Sequence, residues 1–408
     1  MALLILALAA PGLLLPESPC LLVARPVSVL AFTGADRQRF LHGLCTADVT
    51  ALGPGKVTDA VIVDAQGNTQ SLLTLVNEAT DAGARVVAYH SEGEKVKNTP
   101  LPAFFDKYIF PADEVEVHDE SSEHGAWCYE LSGTKAEAVM QGALGLSSVP
   151  ILEPDHAARF ELFGSVDALI TRSSSLGYAD EGPCFSVLIT CGSGSTTVVE
   201  DGLKQLVASV GGEVVPSYEQ ARILRGRPGS GSEFGAGAPA ESVPPLSLGL
   251  WSAVSMEKGC YLGNEILARL AKAKRQKREL FGISFDEAVT SIEPGADVTL
   301  NEGDGTAVGV VTSVAAASEG PAFALALLRP AAAPIGTQVR VGAAAGRVTD
   351  LAFATRDGGV ASKGDDSSDG EQEDAASDAR AAKAAAEAER KAAKLAAMQA
   401  KLKAMGLA

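Results

Sequence analysis

The run of residues 280–353 most restricts what this chain can fold into. Six short segments, Phe281–Phe285, Asp297–Leu300, Ala307–Val314, Ala322–Leu328, Gln338–Val341 and Gly346–Leu351, are rich in apolar residues. Turn residues separate them at Gly295, Gly303–Asp304–Gly305, Pro334–Gly336 and Gly342. Several short strands with regular turn signals predict a small β-barrel over residues 280–354.

Ahead of it the pattern is mixed. Val27–Phe32 alternates as a strand, and Thr33–Asp36 reads as a turn and cap into a helix, Arg37–Leu44, with Phe40, Leu41 and Leu44 inward. Ala60–Asp64 and Ser71–Val76 read as strands joined by a turn at Gln66–Asn68. Arg85–Tyr89 is a further strand, and Leu101–Phe110 a helix whose rings Phe104, Phe105 and Tyr108 face a core. A second unit opens at Val115, with strands at Trp127–Leu131, Leu169–Arg172 and Phe185–Ile189 and helices at Lys135–Met140 and Gly202–Val210. Ser217–Pro228 reads as a helix stopped by Gly226 and Pro228, and the Gly/Ser/Ala-rich Gly229–Pro245 as a flexible linker. The expected fold class is therefore α+β: a body over residues 25–245, in two interleaved subdomains dividing near residue 115, then a loop and helix over 246–279, then the barrel.

The ends differ in composition. Residues 1–24 form an apolar segment whose leucine-rich start, Met1–Leu15, is shorter than the ~20 residues of a membrane span and lacks the basic residues of a secretory signal. It stands apart from the fold as a candidate targeting segment. Residues 355–378 are acidic and Ser/Gly-rich, a disordered linker. Residues 379–407 are Ala/Lys/Glu-rich and helical by propensity. Leu395, Met398, Leu402 and Met405 draw one apolar stripe there for a partner helix or self-association.

Among 408 residues the net charge is −17, which argues against broad nucleic-acid binding. The six cysteines are scattered without C-x-x-C or zinc spacing, so they read as reduced thiols and no protein-only metal site is expected.

Chemistry concentrates at Lys258–Arg269, where a thiol, two glycines, a phenol, a carboxylate and two cations fall within a dozen residues. Gly259 and Gly263 bracket Cys260 and Tyr261 on a tight loop, and Asn264 is placed to cap a helix. Lys258, Arg269 and the helix N-terminus would each favour a thiolate at Cys260. The alternative is a small buried cysteine beside a structural turn.

This K-G-C-Y-x-G-N-E-x-x-A-R segment closely resembles the signature of the YgfZ-type folate-binding proteins, relatives of the glycine-cleavage T-protein (aminomethyltransferase) linked to iron–sulfur cluster biogenesis. Asn264 stands where the family usually has Gln. Gly249–Ser255 resembles the plastid branch, Phe40–Val49 the family's opening motif, Arg222–Pro228 its R-I-x-x-G-x-P segment, and Val308–Ser313 a strand of the T-protein barrel. Gly177–Gly182 resembles a T-protein turn whose Glu contacts the pterin, which would be Glu181. The resemblance spans about Arg25–Phe353.

It implies tetrahydrofolate, or a one-carbon derivative, in a central cavity. Cys260 would be the reactive thiol, tuned by Lys258. Tyr261, Gly263, Glu265, Arg269, Arg222 and Glu181 would contact the cofactor. The implied partners are folate and iron–sulfur client or assembly proteins; the implied compartment is the chloroplast, with the mitochondrion as alternative. The T-protein's acidic pair has Gln70 and Ser71 at the matching positions, neither of which can act as a carboxylate base. An aminomethyl- or methyltransferase and a non-catalytic interaction protein are the rival readings. The basic run Ala271–Arg278 is a solvated face or a site for a folate polyglutamate tail.

Overall fold

The computed structural model describes residues 18–356, apart from 81–82, 123–124, 148–150, 174–175, 177–181, 191–192, 241, 274–275, 286–291, 303–304 and 316–321. The terminal segments 1–17 and 357–408, the loop bearing Glu181, and Lys274 and Arg275 of the basic run lie outside the described residues.

The chain opens with β1 (Leu21–Thr33), α1 (Arg37–Leu44), β2 (Val57–Val63), β3 (Thr69–Thr80) and β4 (Gly83–Ser91). A short ribbon, β5 (Lys95–Val96) and β6 (Thr99–Pro100), leads into α2 (Leu101–Asp106). Then come β7 (Glu116–Asp119), β8 (Ala126–Ser132), α3 (Ala136–Leu144), β9 (His156–Leu162), β10 (Val166–Arg172), β11 (Cys184–Ile189), α4 (Ser193–Ser209) and β12 (Glu213–Val215).

These strands form one ten-stranded sheet with the order β2-β3-β4-β1-β8-β11-β10-β9, β7 and β12 pairing with β1. The order is palindromic. β1 and β8 lie at the centre, each followed by a helix and a three-stranded meander. Both helix entries are tied alike: the Asp36 amide donates to Glu114 O, and the Lys135 amide to Pro19 O. The sheet curls until its outer strands touch, with Val57 N donating to Asp155 O and Ala157 N to Gly55 O. The two-residue side-chain period then sorts β1. Leu30 and Phe32 pack under α1 and α2 with Phe40, Phe104 and Phe105. Val27 and Val29 point into the curl with Tyr89, Cys128 and Leu169. α3 and α4 cover the second half over a separate core.

After β12 come α5 (Tyr218–Arg225), α6 (Asn264–Lys272) and six strands, β13 (Glu279–Phe285), β14 (Asp297–Leu300), β15 (Ala307–Ala315), β16 (Phe323–Leu328), β17 (Gln338–Val341) and β18 (Ala344–Thr349). They close as a barrel in the order β13-β16-β15-β14-β17-β18, as the strand spacing predicts. A shared core joins the barrel to the first half of the sheet: Val61, Val63 and Leu72 meet Leu246, Tyr261, Leu267, Leu325 and Leu351. Each such side chain, once buried, contributes about 1.5–3 kcal/mol, so the barrel is docked by its apolar outer face.

Several expectations change. Residues 21–24 do not stand apart from the fold: Leu21, Leu22 and Val23 open β1, pair with β12 and β8 and are buried, because strand pairing on both edges takes them into the core. β9 (His156–Leu162) is a strand that the alternation does not announce, because its Arg159 and Glu161 lie on an outer strand. The helix at 101–110 stops at Asp106, and Phe110 is exposed. Residues 229–245 are not a flexible linker. Phe234, Ala238 and Val243 are buried, and Glu233, fully buried, accepts hydrogen bonds from Gly229 N and Ser313 Oγ and pairs with Arg222 at 2.8 Å. Glycine-rich composition signals flexibility only where nothing anchors the chain; here one buried ion pair and one aromatic ring do.

Candidate functional site

Two sites flank the β2–β3 hairpin. The first is the signature loop. Gly263 has φ +81°, and a Cβ there would lie 2.5 Å from Asp64 O and 3.2 Å from Gly67 Cα. The loop therefore clamps the hairpin turn by backbone, and only glycine fits. That turn is itself set by Asp64, whose Oδ1 accepts from Gln66 N and Asn68 N. Gly263, rather than Asn264, is the N-cap of α6, and Asn264 is its first residue.

Lys258 is held differently from its expected role as a tuner of the thiol. Its ammonium donates to His42 O, to Cys45 O at 2.7 Å and to Ala47 O at 2.9 Å. It also lies 4.6 Å from the Tyr261 ring centroid. A cation at the carbonyl end of α1 is favourable, since those carbonyls have no partner in the helix. Burial lowers the Lys258 ammonium from its ordinary range, and the nearby Cys45 and Asp48 oppose that. Thr46 completes the joint: its Oγ1 donates to Ala253 O and accepts from Val61 N. The two motifs at 40–49 and 249–269 thus meet in space, and Lys258 and Thr46 are the rivets.

Cys260 sits on this loop and is exposed, whereas Cys20, Cys45, Cys128 and Cys184 are buried. Among the described residues nothing hydrogen-bonds to its Sγ. Glu265 and Arg269 pair with each other at 2.9 Å across one turn of α6, both largely exposed. Tyr261 is buried in the core beneath, and burial pushes its phenol up to about 12.

The second site is a cavity of about 470 Å³ on the other flank, lined by residues of β1, β3, α5, the turn at Ser91–Glu94 and the loop at Arg227–Ala236. It exists because β1 changes neighbours. On one edge parallel β12 ends opposite Val23, and antiparallel β4 begins opposite Val27. Arg25 and Pro26, in the gap, line the cavity. Arg222 is the one expected contact residue found there; Cys260, Lys258, Tyr261, Gly263, Glu265 and Arg269 are not in the lining.

Arg222 is buried and fully engaged, with Glu219 (2.5 and 2.6 Å), Glu233 (2.8 Å), Ser313 Oγ (3.1 Å) and Arg227 O (3.1 Å). It knits α5 to the 229–236 loop and to β15.

Gln70 and Ser71 hold a group that the local sequence does not announce. Gln70 Oε1 accepts from Lys97 N. Ser71 Oγ donates to Glu94 Oε2 at 2.5 Å, and Leu72 N donates to the same oxygen at 3.2 Å. Glu94 lies on the turn after β4, is 5% exposed and lines the cavity. Burial pushes its carboxyl up to about 7, against the pull of the Ser71 and Leu72 hydrogen bonds and of Arg25 and Arg227. A carboxyl that titrates near neutrality can hold or release a proton there. The signal available in sequence was weak, a Glu in the turn S-E-G-E, because its partner lies 23 positions back.

A second cavity, about 590 Å³, is lined by Thr33, Gly34, Gly83–Arg85, Arg159 and Asp167. Its two arginines are both paired with Glu78. It contains none of the expected residues. Among the described residues no group of three or more His, Cys, Asp or Glu side chains is placed to hold a metal ion.

Comparison with known proteins agrees with this architecture. No family model matches the chain. A curated relative from Arabidopsis thaliana, described as "Putative transferase At1g60990, chloroplastic", is 28% identical over 329 residues, which is 79% of this chain and 68% of the relative. Among solved structures, the glycine cleavage system aminomethyltransferase T from Bartonella henselae superposes with a TM-score of 0.62 at 21% identity, covering 83% of this chain and 87% of that one. The chain has the T-protein fold.

Proposed function

We propose that this protein is a folate-dependent, transferase-like protein that holds tetrahydrofolate in the 470 Å³ cavity and serves iron–sulfur proteins of the plastid. The cavity carries the reading. Its volume lies within the ~300–1,000 Å³ of small-molecule sites, and it places buried charged groups, Arg25, Glu94 and Arg222, around one space. The T-protein fold supports the folate assignment, and the chloroplastic relative supports the compartment. The iron–sulfur assignment rests on the signature around Cys260. One thiol cannot hold a cluster that needs about four ligands, so Cys260 acts as an exchange thiol toward a partner that supplies the rest.

Glu94 favours a second reading, a working one-carbon transferase. It returns a carboxylate to the place where Gln70 and Ser71 had removed one, held by the Ser71 hydroxyl itself.

Calorimetric titration with tetrahydrofolate and its 5-formyl form tests the cavity. Wild type and Cys260→Ala bind alike, and Ala236→Trp, which fills the exposed rim, abolishes binding. Absence of binding to wild type would defeat the folate reading. Activity of plastid iron–sulfur enzymes in cells lacking the protein tests the thiol: wild type restores it and Cys260→Ala does not. Glycine-dependent methylenetetrahydrofolate formation that is lost in Glu94→Gln even at saturating tetrahydrofolate would decide for the transferase.

A further inference from the structure

Arg25 is the odd group in the cavity wall. Its side chain is 4% exposed, and a guanidinium carries five N–H donors. Yet it hydrogen-bonds to no described residue. Its nearest carboxylate, Glu130, is 3.6 Å away and already accepts from Ser186 Oγ at 2.6 Å and Cys128 Sγ at 3.4 Å. Its Nε is buried without any acceptor, and the Tyr218 ring centroid lies 4.7 Å from its Cζ. Buried donors without acceptors are rare in folded proteins, because each loses its hydration. Arg222 in the same wall is saturated, so the deficit is particular to Arg25.

Glu94 shows the complementary deficit. Both hydrogen bonds it receives land on Oε2, and Oε1 has no partner among the described residues. The cavity therefore presents a guanidinium that has an ion pair but no hydrogen bond, and one carboxyl oxygen without a hydrogen bond, on two buried residues. Exposed residues, among them Pro26, Glu92, Glu219 and Ala236, form the rim.

We infer that Arg25 and Glu94 together form a ring-recognition subsite, Arg25 donating to the carbonyl oxygen of an oxo-amino-pyrimidine ring such as a pterin and Glu94 Oε1 accepting from its adjacent N–H edge. This rests on the proposed folate reading and deepens it. A flat ring with a donor and an acceptor on one edge satisfies both deficits at once, and the Tyr218 ring under Arg25 holds the guanidinium in place. A ligand carboxylate would satisfy Arg25 but would repel ionised Glu94. The depth of the pair places the ring inside and leaves any anionic tail at the rim.

The test separates ring from tail. Affinities are measured by calorimetry for tetrahydrofolate, for 6-methyltetrahydropterin (ring alone) and for p-aminobenzoylglutamate (tail alone), with wild type, Arg25→Lys and Glu94→Gln. Lysine keeps the charge opposite Glu130, and glutamine keeps an oxygen for Ser71. The ring alone binds wild type. Each substitution weakens the ring and tetrahydrofolate by about 10- to 100-fold, the size of a lost charge-assisted hydrogen bond, and leaves the tail unchanged. If tetrahydrofolate binds and Glu94→Gln leaves the ring unaffected, the subsite is refuted while the folate cavity stands. If the tail alone binds and is lost in Arg25→Lys, the orientation is reversed and the inference is again refuted. If tetrahydrofolate does not bind wild type, both readings fall together. Should Arg25→Lys not fold by circular dichroism, Glu94→Gln decides alone.

Discussion

The two halves of the sheet repeat one topology and differ in what their hairpin tips meet. In the first half, the turn between β2 and β3 is clamped by Gly263, and Gly67 packs against Ile266 and Leu267. In the second, the turn between β9 and β10 meets its own helices: Phe163 N donates to Ala143 O, and its ring covers Gly202 of α4. Three and four residues beyond the turn glycines, the first half places Gln70 and Ser71, both buried, with Ser71 holding the cavity residue Glu94. The second half places Asp167, exposed and paired with Arg159, and Ala168, buried in core. A duplicated scaffold thus becomes a site in one half only, because the signature loop and barrel dock on that half.

Loss of the buried Glu233 partner should break this asymmetry most severely. Glu233→Ala leaves the buried Arg222 with only the exposed Glu219 as a carboxylate partner and should lower the unfolding free energy by about 3 kcal/mol, read from denaturant titration. The cavity should be lost with it, since Arg222 holds the 229–236 loop.

The paired glycine substitutions come next. Gly263→Ala combines a strained left-handed alanine with a collision at Asp64 O and should cost about 2–4 kcal/mol. Gly164→Ala, in the second half, has φ +67° but open space around the added methyl, and should cost about 1 kcal/mol. Equal thermal shifts for the two would show that the clamp is not a tight joint.

Glu94→Gln should show its effect through pH. The Glu94 carboxyl is raised from 4.5 to about 7 in the folded protein. Its stabilising contribution is therefore complete below about pH 4.5 and is lost as pH rises through 7, because the unfolded chain ionises first. Glutamine does not titrate. Relative to wild type, Glu94→Gln should gain up to about 3 kcal/mol between pH 4 and pH 8, measured as the difference in unfolding free energy across that window. A flat difference would place Glu94 in contact with water.

The smallest effect belongs to the second half. Asp167→Asn removes an exposed ion pair with Arg159 and should change stability by less than about 1 kcal/mol. A larger loss would mean that the second hairpin carries a structural charge network of its own.

Much of the fold was legible because its signals are local. The bounds of α1, β14 and β17 follow from apolar spacing and turn residues over a few positions, and the barrel follows from the number and regularity of its strands. The stop of α5 is equally local, with Gly226 in the left-handed conformation after Arg225. The candidate site was only half legible. The signature marked the loop, but Lys258 and Thr46 reveal their roles only against carbonyls and amides up to about 216 positions away. Arg222 was identified as a cation of the site; its partner Glu233 was hidden in a glycine-rich stretch. Glu94 and Arg25 were not identified, since neither belongs to a motif and each acquires its chemistry from burial.

The sequence by itself determined most element types, the barrel and the position of the signature loop, because hydrophobic period, turn chemistry and glycine placement act over a turn or a strand. Only the tertiary structure decided which charges face one cavity, which stay unpaired, and how far Glu94 departs from an ordinary carboxyl. Those properties depend on desolvation and on partners brought together across the whole chain, and no local pattern of residues encodes them.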